Sequence, residues 1–293
     1  MAAENIIVLS SPIICSRMSL IQKLKTDFSL KELVSIFTFL GVQVQKMNSG
    51  LFLHQSRYAE NLLDQFDFSN CRPVSTPLAL KPPACSDAHQ PFSDPTLYRR
   101  LAGSLMYLTI TRPDLAYATN HIYQSMHHPT NQHFQSLKCL LRYIKGTINF
   151  GIPFCSGDLQ LHTFVDSDWA ADKADHKSVI SFFSYLGPNL VSWHVKKQAT
   201  VAKSSTEAEY RALSAATSDV LWLRHLLHEF HATQSEPTPI YCDNTSTIAL
   251  AHNPVFHART KHIELDYHFI SEHIRAAAIL FCTSVHLINR LTF

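Results

Sequence analysis

Residues 204–210 read Ser-Ser-Thr-Glu-Ala-Glu-Tyr, two carboxylates behind a run of small hydroxyl side chains. Ser or Thr ahead of Glu is a helix-start pattern. Tyr210, Leu213, Thr217, Val220, Leu221 and Leu227 then recur at helical spacing, so a long amphipathic helix begins here. A carboxylate in a first turn is favoured by the helix dipole, so Glu207 and Glu209 alone read as ordinary N-terminal acids. Their surroundings change that reading. Residues 159–165 alternate apolar and polar and run into Asp166-Ser167-Asp168-Trp169, a strand ending in acids. Ile240-Tyr241-Cys242 is a short strand ending in Asp243-Asn244, and residues 246–252 follow as a helix. Acids at a strand end, a helix start and a strand end can converge on one point. Converging carboxylates repel unless a cation neutralises them, and hard oxygen ligands favour magnesium or manganese over zinc.

The boxes carrying these acids resemble a known family. Phe164-Val165-Asp166-Ser167-Asp168-Trp169-Ala170 is similar to the first strand of the ribonuclease H domain of copia-type retrotransposon polyproteins. Residues 204–210 resemble its SSTEAEY box and Asp243-Asn244 its DN box. Residues 253–263 resemble its NPVFHSRTKHI box. Val191-Ser192-Trp193 with Lys196-Lys197-Gln198 resembles its WKSKKQ turn. The resemblance implies an α/β (α+β) fold, a ribonuclease H-like mixed sheet flanked by helices, over residues 151–293. It also implies a two-metal site holding Mg2+ or Mn2+. Asp166 would bridge both ions, and Glu207 and Asp243 would each hold one. Glu209 lies about 200° around the helix from Glu207, so one of the two faces the site. The resemblance nominates Glu207. Asp168 shares the strand face of Asp166.

The wider fold adds a fourth carboxylate near the C-terminus, where alignment on Thr292 places Val285. Glu264 is the candidate substitute, its other reading being an exposed helix acid. Ser181 stands where the family has Gly. His252, His257, His262 and His268 lack the spacings of zinc motifs, and His257 and His262 read as capping, packing or phosphate-contacting residues.

Upstream, residues 36–45 read as a strand, Asn48-Ser49-Gly50 as a turn and residues 51–54 as the returning strand of a hairpin. Residues 56–66 read as a helix. These segments resemble the end of a copia-type reverse transcriptase, so residues 1–80 are expected to be a palm/thumb remnant. The paired metal-binding aspartates of that polymerase precede an Ile-Ile-Val strand. Here Ala2-Ala3-Glu4-Asn5 precedes Ile6-Ile7-Val8, which implies no polymerase activity from this chain. Residues 81–96, rich in Pro, Ser and Ala, read as a linker. Helices are expected over 97–108, 115–126 and 130–145; residues 98–108, 111–114 and 141–147 resemble the family's YRRLVGSLLYL box, TRPD turn and LRYLKGT helix end, which implies the helical thumb/connection of residues 97–150. Arg99, Arg100, Arg112, Lys138, Arg142 and Lys145 read as a surface that tracks a phosphate backbone or is simply solvated.

The 293 residues suffice for two ordinary domains, and a net charge of +2 excludes a strongly basic nucleic-acid scaffold. Seven scattered cysteines without a C-x-x-C pair indicate reduced thiols, and no stretch reads as a membrane span or signal peptide. The expected location is therefore intracellular, cytoplasmic or nuclear. The resemblance implies an RNA–DNA hybrid as partner, with other retrotransposon polyprotein products as candidate partners and no membrane. Two functional readings remain open. One is metal-dependent hydrolysis of the RNA strand of a hybrid, and the other is an inactive nucleic-acid-binding remnant.

Overall fold

The computed structural model describes residues 37–79, 87–172, 175–253 and 263–283. It divides into two compact units between Cys155 and Ser156. The expected N-terminal strand, residues 254–262 with His257 and His262, and the tail with Val285 lie outside the described residues.

In the first unit the run over 36–45 is not one strand. Leu40 and Gly41 adopt φ of 46° and 75°, and the chain folds back there. The result is β1 (Thr38–Phe39) antiparallel to β2 (Val42–Met47), which pairs with β3 (Gly50–His54) as the expected hairpin. Helix α1 (Ser56–Gln65) buries Ala59, Leu62 and Leu63. Three further helices are α2 (Pro95–Leu108), α3 (Ala116–Gln124, entered through a 3-10 turn at Pro113–Leu115) and α4 (Asn131–Gly146). Leu62 and Leu63 of α1 share one core with Tyr98, Leu101 and Leu105 of α2 and Leu140, Leu141 and Ile144 of α4. The segments expected as two separate regions, 1–80 and 97–150, thus share a single core where they are described. Residues 87–96, expected as linker, pack as well: Pro91 bridges Thr130, and Phe92 stacks on Phe134 at 4.1 Å. Asp94 caps α2, its carboxylate accepting from the Leu97 amide at 2.9 Å.

Two expectations change here. Strand β4 (Gly151–Cys155) belongs to this unit, antiparallel to β3, not to the domain that follows. Its backbone satisfies the edge β3 would otherwise expose, and Ile152 and Phe154 are buried. Arg112 is not a surface base. It is 2% exposed, donating through Nε and one terminal nitrogen to Asp114 at 2.9 and 2.7 Å and through both terminal nitrogens to Thr147. Arg142 is half-buried, and its Nε donates to the Arg72 carbonyl at 2.7 Å.

Among the described residues the second unit is a five-stranded mixed sheet with three helices. Its strands are β5 (Leu161–Asp168), β6 (Val179–Leu186), β7 (Asn189–Lys197), β8 (Thr238–Cys242) and β9 (Ile279–Thr283). Helix α5 (Ser205–Glu229) precedes β8; α6 (Thr245–His252) and α7 (Glu264–Arg275) follow it. The order is β7-β6-β5-β8-β9, with β7, β6 and β5 antiparallel and β8 and β9 parallel to β5. This is a mixed α/β sheet with helices, the fold class expected from the sequence. Strand β9, at one edge of that order, buries Ile279 and Phe281. Ser181 pairs directly with Asp166, and β6 runs through it without interruption.

Buried polar bonds fix α5 on the sheet. Asp219 accepts from Ser184 Oγ and Ser192 Oγ at 3.0 Å each, tying the helix to β6 and β7. Near the other end, Gln198 Nε2 donates to the Ala208 carbonyl at 2.9 Å. The first turns of α5 are thereby held beside the C-terminal ends of β5 and β8.

Candidate metal centre

Strand alternation places Leu161, Thr163, Val165 and Ser167 inward and leaves Asp166 and Asp168 exposed on the other face. The strand ends at Asp168; the indole Nε1 of Trp169, the next residue, donates to the Ala202 carbonyl at 3.1 Å, and Ala170 follows at φ 53°. Ser204 caps α5, its side chain accepting from the Glu207 amide at 3.2 Å. Strand β8 delivers Cys242 into the interior and Asp243 to the surface, and Asn244 caps α6 by accepting from the Thr247 amide at 3.0 Å.

The helix carboxylate that reaches this point is Glu209. Its Oε1 accepts the backbone N–H of Ser167 at 3.1 Å, and its Oε2 lies 3.7 Å from Cys242 Sγ. Ligand atoms of Glu209, Cys242 and Asp243 all fall within 4.8 Å of one another. Glu207, the residue nominated from the sequence, does not join them. It is buried with its Oε1 on Arg211 at 2.7 Å and its Oε2 on the Lys203 amide at 2.8 Å. The helix forces this choice, because side chains two positions apart point to nearly opposite sides. A signal for it was present in the sequence. Ser204 and Glu207 stand in the S-x-x-E spacing of a capping box, in which the Glu reaches back to a backbone amide.

Electrostatics tie three acids together. Burial, then Asp166 and Asp243, push the Glu209 carboxyl up to about 8, against the Ser167 amide and the Cys242 thiol. Desolvation, then Asp243, raises Asp166 above the usual carboxylate range, with Asp168 adding to the shift. Burial pushes the Cys242 thiol up to about 12. Like charges brought together in partial isolation from water are an electrostatic hole waiting for a cation. Oxygen donors from Asp166, Glu209 and Asp243 suit a hard divalent ion. Glu264 opens α7 exposed to solvent, 4.0 Å from His268 Nε2; the charges that raise Asp166 and Glu209 come from the other acids.

Over 260 residues the chain is 43% identical to the Retrovirus-related Pol polyprotein from transposon RE1 of Arabidopsis thaliana, a match covering 88% of this chain and 18% of that protein. Over 205 residues it is 44% identical to the Uncharacterized mitochondrial protein AtMg00810 of Arabidopsis thaliana, covering 69% of this chain and 85% of that one. This chain belongs to the copia-type Pol polyprotein family. It spans about a fifth of the length of the RE1 Pol polyprotein. No family model matches it. The crystal structure of LC11-RNase H1 in complex with RNA/DNA hybrid aligns with a TM-score of 0.33 at 12% identity, covering 44% of this Pol chain and 88% of that one. Among the described residues of this Pol chain, no helix is long and apolar enough to cross a membrane.

Proposed function

We propose that the unit beginning at Ser156 is a metal-dependent nuclease domain that hydrolyses the RNA strand of an RNA–DNA hybrid. The observation that carries this reading is the convergence of Asp166, Glu209 and Asp243 from β5, α5 and β8, with Glu209 raised to about 8. A carboxyl raised by burial and then by two neighbouring acids suits a site whose working form holds cations. Asp166, Glu209 and Asp243 are the residues that would hold them, two Mg2+ or Mn2+ ions on the family pattern. Bound ions would supply relief of charge on the leaving oxygen and a more acidic water.

The chain's own residues do the rest. Asp166, exposed at the strand end, is placed to meet the phosphate from the solvent side. Glu209, buried and accepting the Ser167 amide, presents its carboxylate toward the end of β5. Asp243 sits exposed just past the end of β8. The substrate class comes from the likeness of the boxes around these acids to copia-type ribonuclease H, and discrimination would rest on 2′-hydroxyls and groove shape. Primer extension is not part of the proposal, since Ala2-Ala3-Glu4-Asn5 stands where that polymerase carries its aspartates. A nucleic-acid-binding remnant without cleavage is the second reading, and the exposed position of Glu264, away from a ligand role, favours it.

The test is cleavage of an end-labelled hybrid with magnesium, beside RNA and DNA duplexes. Asp166→Asn and Glu209→Gln should each lower the rate more than about a hundredfold, the scale of a lost interaction worth a few kcal/mol in the transition state. Wild-type protein inert over a full magnesium and manganese titration would favour the remnant. Cleavage that survives both substitutions would mean the activity lies elsewhere.

A further inference from the structure

Cys242 is the one member of this cluster that a site for hard cations does not need. It is fully buried at the end of β8, its Sγ 3.7 Å from Glu209 Oε2, with Asp243 the next residue. Sulfur, one buried carboxylate and one exposed carboxylate thus meet within 4.8 Å. An ion with zinc-like bonds of about 2.0–2.3 Å holds tetrahedral ligands roughly 3.5 Å apart. The sulfur–oxygen pair already has nearly that spacing, and Asp243, exposed and at a strand end, needs a shift of about 1 Å to close the set. The residue whose amide holds Glu209 also carries an unused polar group. Ser167 is 8% exposed, its Oγ has no hydrogen-bond partner, and its backbone amide is the donor bonded to Glu209.

We propose that Glu209, Cys242 and Asp243 form a site for thiophilic divalent cations, cadmium and zinc, which block the productive hard-cation site. The proposal rests on the nuclease reading for its inhibitory consequence but not for the binding itself. Oxygen-only sites discriminate modestly among divalent metals, whereas a thiolate favours soft ions strongly. Coordination forms a metal–sulfur bond and releases the thiol proton to solvent, with no change of oxidation state. Glu209 and Asp243 then belong to the soft ion and are lost to magnesium.

The experiment uses the full chain, reduced and metal-free, without nucleic acid. Cadmium chloride is titrated while the ultraviolet sulfur-to-cadmium charge-transfer band is followed. Wild-type protein should show a tight component that excess magnesium does not displace. Cys242→Ser and Cys242→Ala should each lose that component, and Glu209→Gln should weaken its affinity at least tenfold while keeping the band. The Glu209 variant separates a three-ligand site from sulfur binding at any of the other cysteines. Identical titrations for wild type and both Cys242 variants would overturn the proposal, as would an unchanged affinity in Glu209→Gln. In a second arm, cadmium inhibition of hybrid cleavage, taken relative to each protein's own uninhibited rate, should need at least tenfold more metal in Cys242→Ser. Failure of cleavage in all proteins would count against the nuclease reading and leave the titration as the test of the site.

Discussion

Replacing Glu209 by Gln should stabilise the metal-free protein at neutral pH. The folded carboxyl is pushed from 4.5 to about 8 by burial and by Asp166 and Asp243. A carboxyl raised in this way contributes stability that is fully present below its unfolded value and is lost as pH rises through its folded value. At pH 7 the unfolded chain ionises Glu209 while the folded chain keeps it mostly protonated. At 1.36 kcal/mol for each pH unit above 4.5, folding is disfavoured by roughly 3 kcal/mol at that pH. Gln removes the titration and keeps an oxygen to accept the Ser167 amide. Thermal unfolding with a chelator should then show the variant melting higher at pH 7, by up to on the order of 10 °C for a unit of this size. The advantage should shrink below about 1 kcal/mol near pH 5. Magnesium should reverse the order by stabilising wild type more than the variant, because a ligand of the folded state adds stability in proportion to its binding. Equal melting of both proteins at pH 7, or an advantage independent of pH, would refute the electrostatic account of this site.

Glu207→Gln should separate the two helix acids: it should lower stability by about 1–2 kcal/mol through the weakened Arg211 and Lys203 contacts, read by chemical denaturation, and leave hybrid cleavage within a few-fold of wild type. Arg112→Ala should destabilise the first unit by about 3–5 kcal/mol, because it strands a mostly buried Asp114 carboxylate, and should leave the metal titration of the acid site unchanged.

The sequence by itself determined the parts that depend on local pattern and chain order. Alternation through residues 161–168 and helical spacing after Ser205 specify elements, because side-chain direction repeats with the backbone's own period. The acids at the ends of β5 and β8 were legible for the same reason: each terminates an apolar run. The capping spacing of Ser204 and Glu207 was also in the sequence, and it assigns Glu207 a local structural task. Which acid of the pair meets Asp166 was decided by the tertiary structure. It depends on the rotation of α5 against the sheet, set by distant bonds such as Asp219 to Ser184 and Ser192 and Gln198 to the Ala208 carbonyl. The same holds for residues 151–155. Their apolar alternation marks a strand, but only the free edge of β3, about a hundred residues earlier in the chain, decides which sheet it joins. Arg112 shows the limit from the other side. Its charge reads as surface until the neighbouring Asp114 and the distant Thr147 surround it, and the contact with Thr147, 35 residues on, is a property of the folded core.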